Sequence, residues 1–212
     1  MFELSNVKYK DIVSIDALKI EEGKITAVIG KSGGGKSTLL KLLNKMLSPS
    51  EGTIYYRDEP LSRLPSVAHR RKVLYLNQDP HIFEGSIRFN LVQGFRYQGR
   101  GIPDDATLIE MLRRVHLELP LDKPASTLSG GEAQRLALAR LLLLDGAVYL
   151  FDEPSSALDE KSEMDVLNTV IEWLRSLGKT VVMVTHSKDV ALKHADVIYS
   201  VQDGMIEEVD HE

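Results

Sequence analysis

Two runs, 25–29 (Ile-Thr-Ala-Val-Ile) and 181–184 (Val-Val-Met-Val), are apolar at nearly every position. Such runs predict strands covered on both faces, because side chains on either side of the pleat must then meet a packed layer. Looser alternation predicts strands over 2–9, 12–20, 53–56, 73–77 and 147–151, with Glu22-Gly23 turning the chain into a strand over 24–29. A closing hairpin over 197–201 and 205–209 turns at Asp203-Gly204. Helical spacing appears where Leu39, Leu40, Leu42, Leu43, Met46 and Leu47 share one face. It returns over 130–144, and in the stripe Met164, Leu167, Val170, Ile171, Leu174 and Leu177, which Gly178 should end.

Between Asp79 and Thr127 the alternation gives way to short helices near 86–91 and 104–115, separated by Gly94, Gly99, Gly101 and Pro103. The expectation is an α/β fold with a mixed or parallel central sheet, an N-terminal antiparallel β subdomain and an inserted helical subdomain. One domain spans 1–212, its core formed by 1–78 and 146–212 and its helical subdomain by 79–145. The arginines of that insertion, Arg88, Arg96, Arg100, Arg113 and Arg114, read as a solvated face or a partner contact.

Composition narrows the function classes. The 212 residues are 43% hydrophobic and 27% charged, as expected of an ordinary globular protein. A net charge of −5 argues against a broad nucleic-acid surface. The absence of cysteine removes disulfides and thiolate metal sites. Glu3 places charge too early for a secretory signal, and no apolar run approaches the roughly 18 residues of a membrane span. If the protein works at a membrane, another chain is expected to supply the passage.

The strongest chemical signal is Gly30-Lys31-Ser32-Gly33-Gly34-Gly35-Lys36-Ser37-Thr38, lying between a predicted strand and a predicted helix. Glycines free the backbone so that successive N–H groups can converge on phosphate oxygens at the positive end of the helix. Lys36 would pair with the β- and γ-phosphates, and the Ser37 hydroxyl would take a place on Mg²⁺. A chance Gly-x-x-x-x-Gly-Lys-Ser/Thr match in a chain this long is expected roughly once in a hundred sequences. The strand over 147–151 delivers Asp152 and Glu153 to a sheet edge where open α/β folds bind ligands. Asp152 could hold Mg²⁺ directly or through water, and Glu153 could orient or deprotonate the water that attacks the γ-phosphorus. Leu128-Ser129-Gly130-Gly131-Glu132 has two readings. Ser129 with Glu132 makes a capping box, which explains a helix start. Two glycines where helix formers would serve better suggest a second anion site.

Taken together, Gly30 to Thr38, Gln78, Leu128 to Glu132, Phe151 to Pro154, Ser156-Ala157-Leu158-Asp159 and His186 resemble the ATP-binding cassette (ABC) family of transporter ATPases over nearly the whole chain. The resemblance implies a phosphate-loop ATPase fold, ATP and Mg²⁺ as cofactors, and a head-to-tail homodimer. Each ATP would lie between one subunit's phosphate loop and the other's Ser129-Gly130-Gly131. It also implies an integral membrane permease as partner, no nucleic acid, and a place on the cytoplasmic face of the membrane. By position, Gln78 matches the glutamine that reaches Mg²⁺ and the attacking water. Ser129 and Gly131 match the groups on the γ-phosphate across the dimer, Asp159 the residue linking the two sites, and His186 the switch histidine. Tyr9 stands where the family places an aromatic ring against adenine, although it could equally point inward. The segment 80–83 with Asn90-Leu91 resembles exporter-type cassettes, and the run 152–159 is similar to small subunits associated with metal-ion export. Two rivals remain open: a cassette acting in nucleic-acid, translation or cofactor-assembly processes, and a small-molecule kinase, which would leave Leu128 to Glu132 without purpose.

Overall fold

A computed structural model describes residues 1–79, 81–154, 160–202 and 204–209, with only the backbone of 160–163. The chain opens with β1 (Phe2–Tyr9), β2 (Val13–Ile20), β3 (Ile25–Gly30), α1 (Lys36–Leu43), β4 (Glu51–Tyr56) and β5 (Glu59–Pro60). Then come α2 (Ser66–Lys72), β6 (Val73–Leu76), α3 (Ile87–Gln98), α4 (Asp105–Arg114), α5 (Gly130–Leu142) and β7 (Val148–Asp152). It closes with α6 (Glu160–Ser176), β8 (Thr180–Val184), α7 (Lys188–His194), β9 (Val197–Gln202) and β10 (Met205–Val209). These elements fall into two compact units, one of residues 1–75, 146–153 and 174–212, the other of 76–145 and 154–173.

The first unit holds two sheets. One has the order β2-β1-β4-β5, with β1 antiparallel to β2 and β4. Its β1 alternates inward and outward except at Ser5 and Asn6, which are both exposed. There Asn6 takes φ 48° and the pairing with β4 shifts register, so an extra residue resets the alternation. The other sheet has the order β10-β9-β3-β8-β7-β6, with β3 parallel to β8 and β9, and β7 parallel to β8. Every residue of β7 and β8 is buried, as their unbroken apolar runs require. Leu39, Leu40, Leu42 and Leu43 of α1 are fully buried in the same core.

Two inward expectations fail. Met46 is 54% and Leu177 49% exposed, because both lie past the ends of their helices. Gly178 does terminate α6 with φ 63°, its N–H reaching the Arg175 carbonyl at 2.9 Å. The first of the hairpin's two turn residues, Asp203, lies outside the described residues. Gly204 has φ 80°, and β9 and β10 pair antiparallel.

In the second unit α3 runs to Gln98, well beyond the predicted 86–91. Gly94 therefore lies inside the helix, where an added Cβ would come within 2.6 Å of the Leu144 side chain. That glycine reflects close packing, and Gly99 with φ 64° ends the helix. Four of the five arginines named for this insertion have partners within this unit. Arg88 pairs with Asp105, while Arg96, Arg100 and Arg114 lie over the rings of Phe89, Phe95 and Trp173 at 5.2, 5.0 and 4.5 Å. They serve packing as much as solvation.

Candidate nucleotide site

The loop from Gly30 to Gly35 leaves the end of β3 and enters α1 with Gly33 at φ 81° and Gly35 at φ 95°. A Cβ at Gly35 would stand 2.8 Å from both the Ile12 carbonyl oxygen and Val13 Cγ2, so only glycine fits. Lys36 opens the helix and is 5% exposed. Its ammonium donates to the carbonyls of Gly30 and Lys31, both at 2.8 Å, which holds it over the loop and accounts for two of its three protons. A cleft of about 870 Å³ is lined by Lys31, Ser32, Gly33, Gly34, Ile12, the β9 residues Val201 and Gln202, and Gly204, among others. Thr38, in the first turn of α1, is half-buried.

Asp152 ends β7 and is 2% exposed. Its Oδ1 accepts from the Ser37 hydroxyl at 2.8 Å, and its Oδ2 from the Tyr75 hydroxyl at 2.7 Å. A residue at the start of α1 and one 115 positions later thus share a hydrogen bond. Burial, and then the hydrogen bond to Asp152 and its charge, push the Tyr75 phenol far above its ordinary value, so it remains a donor. This all-oxygen pair suits a hard divalent cation such as Mg²⁺, which commonly takes one or two protein oxygens and completes its shell with phosphate and water. Among the described residues no group of three or more His, Asp or Glu could hold a metal. Two protein oxygens leave most of the shell to phosphate and water, so the pair fits a cation brought by a phosphate ligand.

Glu153 follows with φ 45°, unusual for a residue bearing a side chain, and its N–H donates to the Val184 carbonyl at 3.0 Å. Its Oε2 lies 3.8 Å from His186 Nδ1, so the two residues expected near the γ-phosphate do meet. His186 follows β8, where the Ser187 N–H donates to Thr185 Oγ1 at 3.1 Å.

Tyr9 is half-buried against the core with the Lys10 ammonium 5.3 Å from its ring centroid, and it is not among the residues lining the cleft. Asp159 lies outside the described residues. The remaining expected residues belong to the second unit, where Gln78 is exposed in the segment after β6. Ser129, Gly130 and Gly131 open α5, and the capping box is complete. Ser129 Oγ accepts from the Glu132 N–H at 3.3 Å, and Glu132 Oε2 accepts from the Ser129 N–H at 2.8 Å. That backbone hydrogen bond, first among its causes, holds the Glu132 carboxyl below its usual range.

Two supporting residues, Tyr75 and Gln134, escaped the sequence reading, and a third, Asn90, entered it only through the resemblance to exporter-type cassettes. Tyr75 looked like strand filler. Gln134 is 1% exposed and donates to the Pro154 carbonyl at 2.9 Å, tying α5 to the residue after Glu153. Asn90, fully buried, clamps Phe83 from both sides, accepting from its N–H at 2.8 Å and donating to its carbonyl at 2.9 Å. An asparagine and a glutamine on otherwise apolar helix faces were the signal, since buried amides need partners.

A glycine loop gripping a lysine, joined to a buried carboxylate by a serine, defines a phosphate-loop nucleotide-binding protein. The chain belongs to the ABC transporter family, whose profile matches residues 14–156, and it is an ATPase nucleotide-binding domain of that family. The rice Protein STAR1 (Oryza sativa subsp. japonica) is 37% identical over 97% of this chain, which spans 59% of that relative. The "Probable iron export ATP-binding protein FetA" of Escherichia coli (strain K12) is 34% identical over 95% of this chain and 91% of its own length. A solved dimeric cassette in a post-hydrolysis state, bound to ADP and Pi, superposes with TM-score 0.87 at 27% identity, covering 100% of this chain and 99% of that one. A bacterial Atm1-family ABC exporter with ATP bound gives 0.89 at 27% identity, over 99% of this chain and 39% of that one.

Proposed function

We propose that this chain powers a separate membrane permease from the cytoplasmic face of the membrane, through ATP-dependent head-to-tail pairing of two copies. The observation that carries the reading is the hydrogen bond from Ser37 to Asp152 at 2.8 Å, which joins the phosphate loop to the carboxylate strand. Lys36 and the N–H groups of residues 30–38 would hold the β- and γ-phosphates. Ser37, Asp152 and Gln78 would hold Mg²⁺, which when bound neutralises charge on the β- and γ-oxygens. Glu153 acts as the base that orients and deprotonates the attacking water, and His186, 3.8 Å from it, contacts the γ-phosphate. The adenine end falls to the segment around Tyr9. Ser129, Gly130 and Gly131 of the second copy would close on the γ-phosphate, with Asp159 linking the two sites.

ATP favours the closed pair because it contacts both copies there and only one in the open form, and hydrolysis removes that bias. The name of the Escherichia coli relative, a probable iron export ATP-binding protein, supports transport, and the ADP-bound dimer supports the pairing. Among the described residues no helix is long and apolar enough to cross a membrane. The net charge of −5 weighs against a nucleic-acid partner.

The test is Ser129→Asp in a hydrolysis-deficient background with MgATP, read by sizing with light scattering and by calorimetry. Aspartate keeps the helix cap but puts a negative charge where the partner's γ-phosphate must dock. ATP binding should persist while the dimer disappears. A dimer of undiminished stability would remove Ser129 from the interface and the reading with it.

A further inference from the structure

Asp152 is a buried carboxylate with both oxygens engaged, and the two donors come from different elements. Ser37 holds Oδ1 from the start of α1, at 2.8 Å, and Tyr75 holds Oδ2 from β6, at 2.7 Å. The sheet order puts β6 directly beside β7, so a side chain from β6 can reach the last residue of β7 without a loop between them. Val73, Leu74 and Leu76 of β6 are buried apolar residues, and Tyr75 alone brings a hydroxyl. A phenylalanine would fill the same space, so the hydroxyl is the part of Tyr75 that packing does not explain.

Its effect is geometric. A carboxylate pinned at one oxygen only can swing about its χ2 torsion, whereas one pinned at both presents a fixed plane. With Oδ2 tied to β6, Oδ1 stays on the Ser37 hydroxyl, and because Ser37 donates its proton there, its oxygen lone pairs are left for whatever cation the phosphates bring. Partners that orient a metal-binding group from behind commonly matter almost as much as the group itself.

We propose that Tyr75 is a positioning residue for the Mg²⁺ end of the nucleotide site, acting through the carboxylate of Asp152. This rests on the reading of Ser37 and Asp152 as the cation-holding pair. Tyr75 also lies three positions before Gln78, so the segment expected to contact the same cation begins at the strand that holds Asp152.

The experiment uses the full chain and its Tyr75→Phe and Asp152→Asn variants, with circular dichroism to verify that each is folded. ADP affinity is measured by calorimetry in EDTA, and Mn²⁺ binding to the ADP-loaded protein by electron paramagnetic resonance. For Tyr75→Phe the EDTA affinity should match wild type, while the Mn²⁺ concentration for half-saturation rises about tenfold. A loss through misfolding or general packing would lower both affinities together and would overturn the proposal. Wild-type Mn²⁺ binding in Tyr75→Phe, with Asp152→Asn strongly weakened, would also overturn it while leaving the cation pair intact. Unchanged Mn²⁺ binding in both variants would overturn the cation reading, and the role of Tyr75 with it.

Discussion

Replacing Glu153 with glutamine separates position from charge at the proposed base. The backbone there is fixed before any side chain matters, by φ 45°, by the end of β7 and by the N–H bond to the Val184 carbonyl at 3.0 Å. Glutamine has the same length and meets the same backbone requirement, so the side chain should occupy the same place. The contact with His186 is a weak stability term, since its 3.8 Å separation is long, it is an ion pair only when the imidazole is protonated, and the histidine side chain is 69% exposed. Surface pairs of this kind contribute about 0–1 kcal/mol, so the variant's thermal midpoint should stay close to wild type.

Turnover should not. Loss of a positioned base costs about 10²–10⁴-fold, which corresponds to about 2.7–5.4 kcal/mol on the barrier at 1.36 kcal/mol per decade. MgATP affinity should hold or rise, because a negative charge beside the γ-phosphate has been removed. Phosphate release under saturating MgATP, calorimetric titration and sizing on the same preparation read the three quantities together. The expected set is slow release, retained binding and an accumulated dimer. Wild-type release in Glu153→Gln would refute the assignment of the base. Lost MgATP binding would show that Glu153 holds the site together instead.

Three further outcomes follow from other parts of the structure. Gly35→Ala places a side chain at φ 95° against the Ile12 carbonyl. A left-handed penalty of about 1–2 kcal/mol should lower the thermal midpoint by about 2–8 °C, and calorimetry should show ADP affinity falling with it. Arg140→Lys removes a guanidinium whose pKa burial pushes below its ordinary value, and which donates to the His81 carbonyl at 2.7 Å and lies 5.0 Å over the Phe83 ring. Denaturant unfolding should show a loss of about 1–3 kcal/mol, with faster proteolysis near residues 81–83. His69 is 3% exposed, with Nε2 at 2.8 Å from the Leu43 carbonyl, and burial lowers its pKa below 6.5. Above 6.5 the ring is neutral in both states and costs nothing. As pH falls below that value the unfolded chain takes up the proton first and stability declines. His69→Gln should flatten the drop in thermal midpoint between about pH 7.5 and 5.5, and an unchanged slope would place the titrating group elsewhere.

What could be read from the sequence divides along a physical line. The phosphate loop, the carboxylates at the end of β7 and the paired glycines that open α5 stood out because their chemistry is wasted on mere folding. The apolar runs of β3 and β8 stood out because nothing but two covering layers tolerates them. Helix ends were harder. The face containing Met46 continued in spacing alone, but α1 stops at Leu43, where Asn44 reaches the Val73 carbonyl at 2.5 Å and Lys45 turns to φ 59°. The Lys45 ammonium then binds the carbonyls of Leu61 at 2.7 Å and Ser62 at 3.1 Å, and that of Leu64. A lysine can therefore take the left-handed turn after a helix that glycine usually takes, provided that distant carbonyls reward it. The helices α2 and α7 were missed for a related reason. Each has seven residues and two turns at most, too few to establish a stripe. Tyr75, Gln134 and Asn90 mark the remaining boundary. Their partners, Asp152, the Pro154 carbonyl and the Phe83 backbone, come from other elements, and no local pattern encodes a partner 77 or 20 positions away. The residues that perform the proposed chemistry are thus visible as motifs, whereas those that hold them in place become visible only when the fold shows which polar atoms were buried together.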